Sequence, residues 1–218
     1  MKIYTIKTQL VALSLGLLTA ASANANLITN GSFETHDAFN NGNWGYFNGS
    51  SGNAVAGWSS VGGPIEVGTA ATYGVTGQDG NDVMELDSTV NVTVNQNLIT
   101  SGSSYTLSFL YAARQGVAAT SDTFSVYWNN GLVGTFNPNS TVMTLASILV
   151  AGTGNDTLSF VGTGTSDSYG ALIDNVQLNL IPASTSVPEP STWMAGMLLA
   201  LPFGIHGLRA LRMRQQRA

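Results

Sequence analysis

Apolar and polar side chains alternate with a period of two through the middle of this chain. Tyr105, Leu107, Phe109 and Tyr111 fall on one face and Thr106, Ser108 and Leu110 on the other. That pattern predicts a strand buried on one side and partly covered on the other. Phe124, Val126 and Trp128 alternate with Ser125 and Tyr127, and Asn129-Asn130-Gly131 supplies hairpin chemistry before Leu132 to Phe136. Val90, Val92 and Val94 alternate with Asn91, Thr93 and Asn95, which turns one valine face inward. Further short runs lie at Ile65 to Val67, Val83 to Asp87, Thr141 to Val150, Thr157 to Val161 and Ala171 to Leu180. In the last, Leu172, Val176, Leu178 and Leu180 share a face with one polar intruder, Asp174. Leu27, Ile28 and Phe33 read as a short strand interrupted by an Asn30-Gly31 turn. A Gly/Asn-rich loop carrying Trp44, Tyr46 and Phe47 then runs to Asn53, a length that marks a functional or mobile connection. No helical period is sustained from 26 to 180, so the reading is all-β, an antiparallel two-sheet sandwich.

The two ends break this pattern. Residues 1–25 hold Lys2 and Lys7, an apolar stretch from Leu10 to Leu18 and a small-residue site at Ala23-Asn24-Ala25, the layout of a signal peptide with its helix. The exported domain is then 26–180, followed by a Pro/Ser/Thr stalk at 181–192 that carries Pro188, Glu189 and Pro190. An apolar transmembrane helix is expected at 193–211, barely long enough to span a bilayer. Arg209, Arg212, Arg214 and Arg217 in the basic end, 209–218, predict a cytoplasmic C-terminus. The Pro-Glu-Pro box, helix and arginines, in that order, resemble the PEP-CTERM sorting signals of Gram-negative bacteria. The resemblance implies an exosortase as partner, an inner-membrane-anchored precursor, and delivery to the cell surface or extracellular matrix.

Composition narrows the domain's chemistry. The chain has no cysteine, so its exported part is held by its core, by metal, or by both. Between 26 and 180 stand eleven acids and one base, Arg114, which excludes nucleic acid as a partner and suits neutral polysaccharide or divalent cations. His36 is the only histidine there and has no partnered serine, so a nucleophilic triad is not expected and the chain reads as non-enzymatic. A glycan hydrolase is the alternative, with Glu66 and either Glu85 or Asp87 as its carboxylate pair.

The fragments NLITNGSFE, Gly57-Trp58, VMELDSTVNVTVNQNL, YTLSFLYAAR, TFSVYWNNG and ALIDNVQL, in that order, resemble the galactose-binding-like jelly-roll family of carbohydrate-binding modules. The resemblance implies a jelly-roll whose first and last strands lie together, and a structural Ca2+ between Glu34 and Asp174. Calcium takes six to eight oxygens, and these carboxylates with turn carbonyls from Asn30 to Ser32 would supply most of them. The competing reading is that Asp174 accepts hydrogen bonds from backbone amides. Gly77 to Asp82 and Gly152 to Leu158 partly echo the nonapeptide calcium repeat, but as lone copies they fit turn chemistry better. For sugar stacking the candidates are Trp44, Tyr46 and Tyr73, with Arg114 and Gln115 as polar partners. Trp44 as a satellite core residue and Arg114 as a structural ion pair are the competing readings, and Trp58 and Trp128 are expected in the core. The resulting expectation is an exported protein that binds or decorates exopolysaccharide. A purely structural matrix or adhesion protein is the remaining alternative.

Overall fold

In the computed structural model, residues 25–183 are described. The expected signal peptide, Pro-Glu-Pro box, transmembrane helix and arginine cluster lie outside the described residues. Among the described residues no helix is long and apolar enough to cross a membrane.

Eleven strands form two antiparallel sheets. The six-stranded sheet runs in the order β1 (Trp44–Phe47), β3 (Ile65–Thr69), β4 (Asp82–Glu85), β11 (Leu172–Leu180), β6 (Ser104–Ala112) and β9 (Thr144–Ala151). The five-stranded sheet runs β2 (Ser59–Val61), β5 (Thr93–Ile99), β10 (Asn155–Gly162), β7 (Phe124–Trp128) and β8 (Gly131–Phe136). Leu107 and Phe109 from the first sheet and Val94, Val126, Leu158 and Phe160 from the second fill the space between them, all fully buried. Phe109 meets Phe160 edge-on at 5.1 Å, and Phe124 stacks on Phe136 at 5.0 Å. Asn129 and Asn130, with φ of 52° and 64°, make the two-residue turn between β7 and β8, a geometry that asparagine tolerates. Trp58 and Trp128 are core residues as expected, each with its indole N–H donated to a backbone carbonyl.

Three expectations need correction. First, Trp44 to Phe47 is not loop but β1, an edge strand paired with β3. Second, Val90 is exposed and precedes β5, whose inward face is continued instead by Gln96 and Leu98. Gln96 is buried because its amide both accepts from and donates to the backbone of Thr29, at 2.8 and 2.9 Å. Third, the single apolar face expected along β11 is split. A register shift between Asp174 and Gln177, with Asn175 at φ 45°, adds a residue to the strand. Ile173, Val176 and Leu178 therefore join the main core, while Leu172 belongs to a second cluster on the other side of the sheet.

The first segment does lie beside the last strand. Leu27 N–H donates to Leu178 O at 3.1 Å, Val176 N–H to Gly31 O at 2.9 Å, and Leu178 N–H to the Asn26 side chain at 2.8 Å. No regular strand forms there, because the Asn26 side chain substitutes for one backbone acceptor. A side chain at position 31 would collide with Val176 O of the bulge, which is why glycine occupies it.

Candidate binding cleft

Glu66 of β3 and Glu85 of β4 are directly opposed across the ladder. Their neighbours Ile65, Val67 and Met84 point into the core, so the two carboxylates point to the other face of the sheet. A second apolar cluster there, including Tyr73, Val83, Ala112 and Leu172, covers them, leaving Glu66 3% and Glu85 0% exposed. Like charges this close and this dry cannot both persist unaided. Arg114, just past β6, places Nη1 2.8 and 2.6 Å from the two oxygens of Glu85 and 4.0 Å from Glu66. Tyr73 O–H donates to Glu66 Oε1 at 3.0 Å, and Gly170 N–H to Glu85 Oε1 at 2.7 Å.

Short elements deliver these groups. A single helical turn, α1 (Ala70–Tyr73), follows β3 and stops at Gly74, whose φ of 68° closes it. This turn presses Tyr73 onto Gly68, where a Cβ would lie 2.7 Å from the Tyr73 hydroxyl and 2.6 Å from Trp44 Cβ. The loop from 163 to 170 is held by buried Asp87, whose Oδ2 accepts the amides of Asp167 and Ser168 at 2.8 and 3.0 Å. Ser168 is thereby kept at φ 67°, and Tyr169 is laid over the guanidinium. The Arg114 guanidinium lies over both rings, 4.9 Å from the Tyr73 ring centre and 4.7 Å from that of Tyr169. Its own amide donates to Asp122 at 3.2 Å.

Electrostatics follow from this packing. Burial raises the Glu66 carboxyl against the lowering pull of its hydrogen bonds to Glu85 and Tyr73. Glu85 rises well above the usual range, first through burial and then through the charge of Glu66. Tyr73 is raised by burial and by Glu66. Burial alone would lower Arg114, but the Glu85 bond together with the charges of Glu85 and Glu66 outweighs it and leaves the guanidinium raised.

Above this floor lies an open cleft of two adjoining hollows, about 430 and 440 Å³. Trp44, Tyr46, Tyr73, Arg114 and Tyr169 line it. The five ligand candidates named from sequence are thus brought together, Trp44, Tyr46, Tyr73 and Arg114 in one hollow and Gln115 in the other. Trp44 is half-buried against the second cluster and meets Tyr46 edge-on at 5.0 Å. Arg114 takes the ion-pair position. Sequence reasoning missed Tyr169, a lone aromatic in a Ser/Gly loop with no local signal, and missed Asp87 as its anchor. Glu66 and Glu85 do meet, as directly opposed residues whose oxygens are engaged by Tyr73 and Arg114.

Glu34 and Asp174 converge elsewhere, on the loop from Asp79 to Asp82. Asp174 accepts the amides of Asp79 and Asn175 at 2.5 and 2.6 Å. Glu34 accepts those of Asn81 and Asp82 at 2.7 and 2.8 Å. Burial pushes Asp174 up to about 7 against these amide bonds, aided by the charges of Asp79 and Glu34. Hard oxygen donors around a carboxylate so destabilised as an anion suit calcium in kind. Among the described residues no group of three acidic, His or Cys side chains that could hold an ion is found, so an ion here would draw on these two carboxylates and backbone carbonyls.

No family model matches the chain. It is 30% identical over 155 residues to a multifunctional-autoprocessing repeats-in-toxin protein of Vibrio vulnificus, and 29% identical over the same length to that of Vibrio cholerae. Each match covers 69% of this chain but 3% of the toxin. Among solved structures, a cyclase from Fischerella sp. TAU in complex with 4-(1H-indol-3-yl)butan-2-one matches with a TM-score of 0.50 and 15% identity, covering 72% of this chain and 98% of that one. A CBM22-1 xylan-binding domain from Paenibacillus barcinonensis gives 0.48 and 14%, covering 76% and 100%. A family 35 carbohydrate-binding module from Clostridium thermocellum gives 0.42 and 15%, covering 62% and 96%. At such identities the likeness concerns the β-sandwich fold alone.

Proposed function

We propose that this chain is an exported cell-envelope or extracellular-matrix protein whose jelly-roll domain binds polysaccharide, without catalysis, in the cleft between β1 and the 163–170 loop. The observation that carries this reading is the gathering of Trp44, Tyr46, Tyr73 and Tyr169 around one polar floor. Aromatic faces stack on the C–H faces of pyranose rings, and nearby polar groups satisfy the hydroxyls. With Arg114 engaged by Glu85, the cleft has no uncommitted Lys or Arg, which favours an uncharged glycan. Exosortase sorting through Pro188-Glu189-Pro190 and a structural calcium held by Glu34 and Asp174 belong to the same reading. Calcium there would supply charge neutralisation, while the two carboxylates would bind it.

The test is titration of the full chain against uncharged polysaccharides, with calcium and with chelator. Saturable binding that Trp44→Ala weakens at least tenfold is expected, with no release of reducing sugar. Absence of binding throughout would sink the reading. For sorting, deletion of 187–218 is expected to abolish surface delivery, and unchanged delivery would refute it.

A further inference from the structure

The floor of the cleft contains two carboxylates and one guanidinium in a dry site, an imbalance that geometry alone makes unstable. Glu66 and Glu85 are directly opposed cross-strand neighbours, both buried, and both face the same Arg114 Nη1 at 4.0 and 2.6 Å; two buried carboxylates that share one cation keep one negative charge between them when one carries a proton. Arg114 compensates one negative charge and no more. The other groups facing the pair cannot neutralise the second: Tyr73 from α1, Tyr46 from β1, Asp87 beyond β4, and Asp167 and Tyr169 from the 163–170 loop. All of these are neutral phenols or further acids.

We infer that Glu66 and Glu85 share a single proton, that this proton keeps the Tyr73–Arg114–Tyr169 stack assembled, and that the cleft is consequently a proton-gated binding site. When the proton leaves, two adjacent buried anions compete for one guanidinium. Arg114 is then drawn off its bonds to Glu85 toward Glu66, 4.0 Å away in the present arrangement. A shift of that size moves the cation from between the rings that form one wall. Tyr73 is displaced with it, since its hydroxyl is tied to Glu66. The binding half of this inference rests on the polysaccharide reading above; the proton and the wall do not.

The experiment has two arms on the full chain. In the first, carboxyl-labelled glutamate and ring-labelled tyrosine are followed by NMR across pH. The expected result is one coupled glutamate transition above the ordinary carboxylate range of about 4 to 5, accompanied by ring shifts of Tyr73 and Tyr169. Glu66→Gln should abolish the transition. Tyr73→Phe, which removes a donor that favours the ionised form, should move it to higher pH. If every glutamate finishes ionising in the ordinary range, or the two rings stay still through the transition, the inference is overturned. In the second arm, affinity for uncharged xylo- and galacto-oligosaccharides is measured over the same pH range. Affinity should fall about tenfold per pH unit above the transition, as release of one proton requires, and Glu66→Gln should carry binding to higher pH. Binding that ignores the transition overturns the gating. No binding at any pH, with the NMR transition and ring shifts present, defeats the polysaccharide reading and leaves the proton-held wall standing.

Discussion

Two buried acidic sites in this domain have opposite fates. At one end of the sandwich Asp156, 1% exposed, accepts from Asn129 Nδ2 at 2.5 Å, from both the amide and the hydroxyl of Thr153, and from the Thr100 hydroxyl. Burial would raise it, but these donors hold the carboxyl well below the usual range. Glu66 and Glu85 are as little exposed but lie deeper in the protein, and are displaced upward. The difference is in depth and in the partners. Asp156 is surrounded by neutral donors and has no acid beside it, so its ionised form is the satisfied one. The glutamates have too few donors for two anions, and each worsens the other. Burial sets the stakes for a carboxylate, and the count of donors against like charges decides which form persists.

The largest effect expected from disturbing this contrast is at Arg114. Arg114→Ala strips the only cation from two buried acids and should cost about 3 to 5 kcal/mol in urea unfolding at neutral pH, as loss of one partner of a buried pair does. The cost should shrink on acidification, because the acids can then take up protons. Next comes Asp174, a third buried carboxylate that shares the upward shift. Its raised value means that its contribution is fully present below the unfolded value near 4 and is lost as pH rises to about 7. In chelator, thermal melts should therefore fall across that window by at most about 4 kcal/mol, at roughly 1.4 kcal/mol per pH unit, and Asp174→Asn should remove the slope. Asp156→Asn should cost about 0.5 to 1.5 kcal/mol by weakening the hydrogen bonds from Asn129, Thr153 and Thr100. The sign is reversed here: the Asp156 contribution is present above the ordinary aspartate range and lost on acidification, so the variant should unfold less steeply in acid than the parent. The smallest effect belongs to Tyr169→Ala, which uncovers one face of Arg114. It should cost about 0.5 to 1 kcal/mol and lower glycan affinity more than stability. A variant that binds like the parent would remove Tyr169 from the cleft's function.

These sites were unequally legible in the chain. The four aromatic and basic ligand candidates could be picked by type, since exposed-looking aromatics in Gly-rich stretches are conspicuous. Their convergence could not, because it depends on β1 forming at an edge that reads as loop and on a single turn of helix at Ala70 to Tyr73. The strands with clean alternation, β6 and β7, turn the expected side chains to the main core, although Ser125 is buried as well. Strand β11 does not, because one residue at Asn175 in the left-handed region reverses the alternation, and nothing in a period-two count announces a bulge. Glu66 and Glu85 were visible as two acids of a possible pair. Their contact is set by the register of β3 on β4, which local pattern does not encode.

The segment from Asn26 to Gly31 runs antiparallel to the end of β11, so the chain enters and leaves the domain at neighbouring points on the same side. For a protein tethered at one end and pulled at the other, that arrangement has a mechanical meaning. Tension between residues 26 and 180 meets the bonds at Leu178, then those between Thr29 and Gln96, then that at Val176, as a zipper is opened, and does not load them together in shear. The segment would peel away bond by bond and withdraw Ile28 from the core, giving the domain a short length of slack before its strands bear the load.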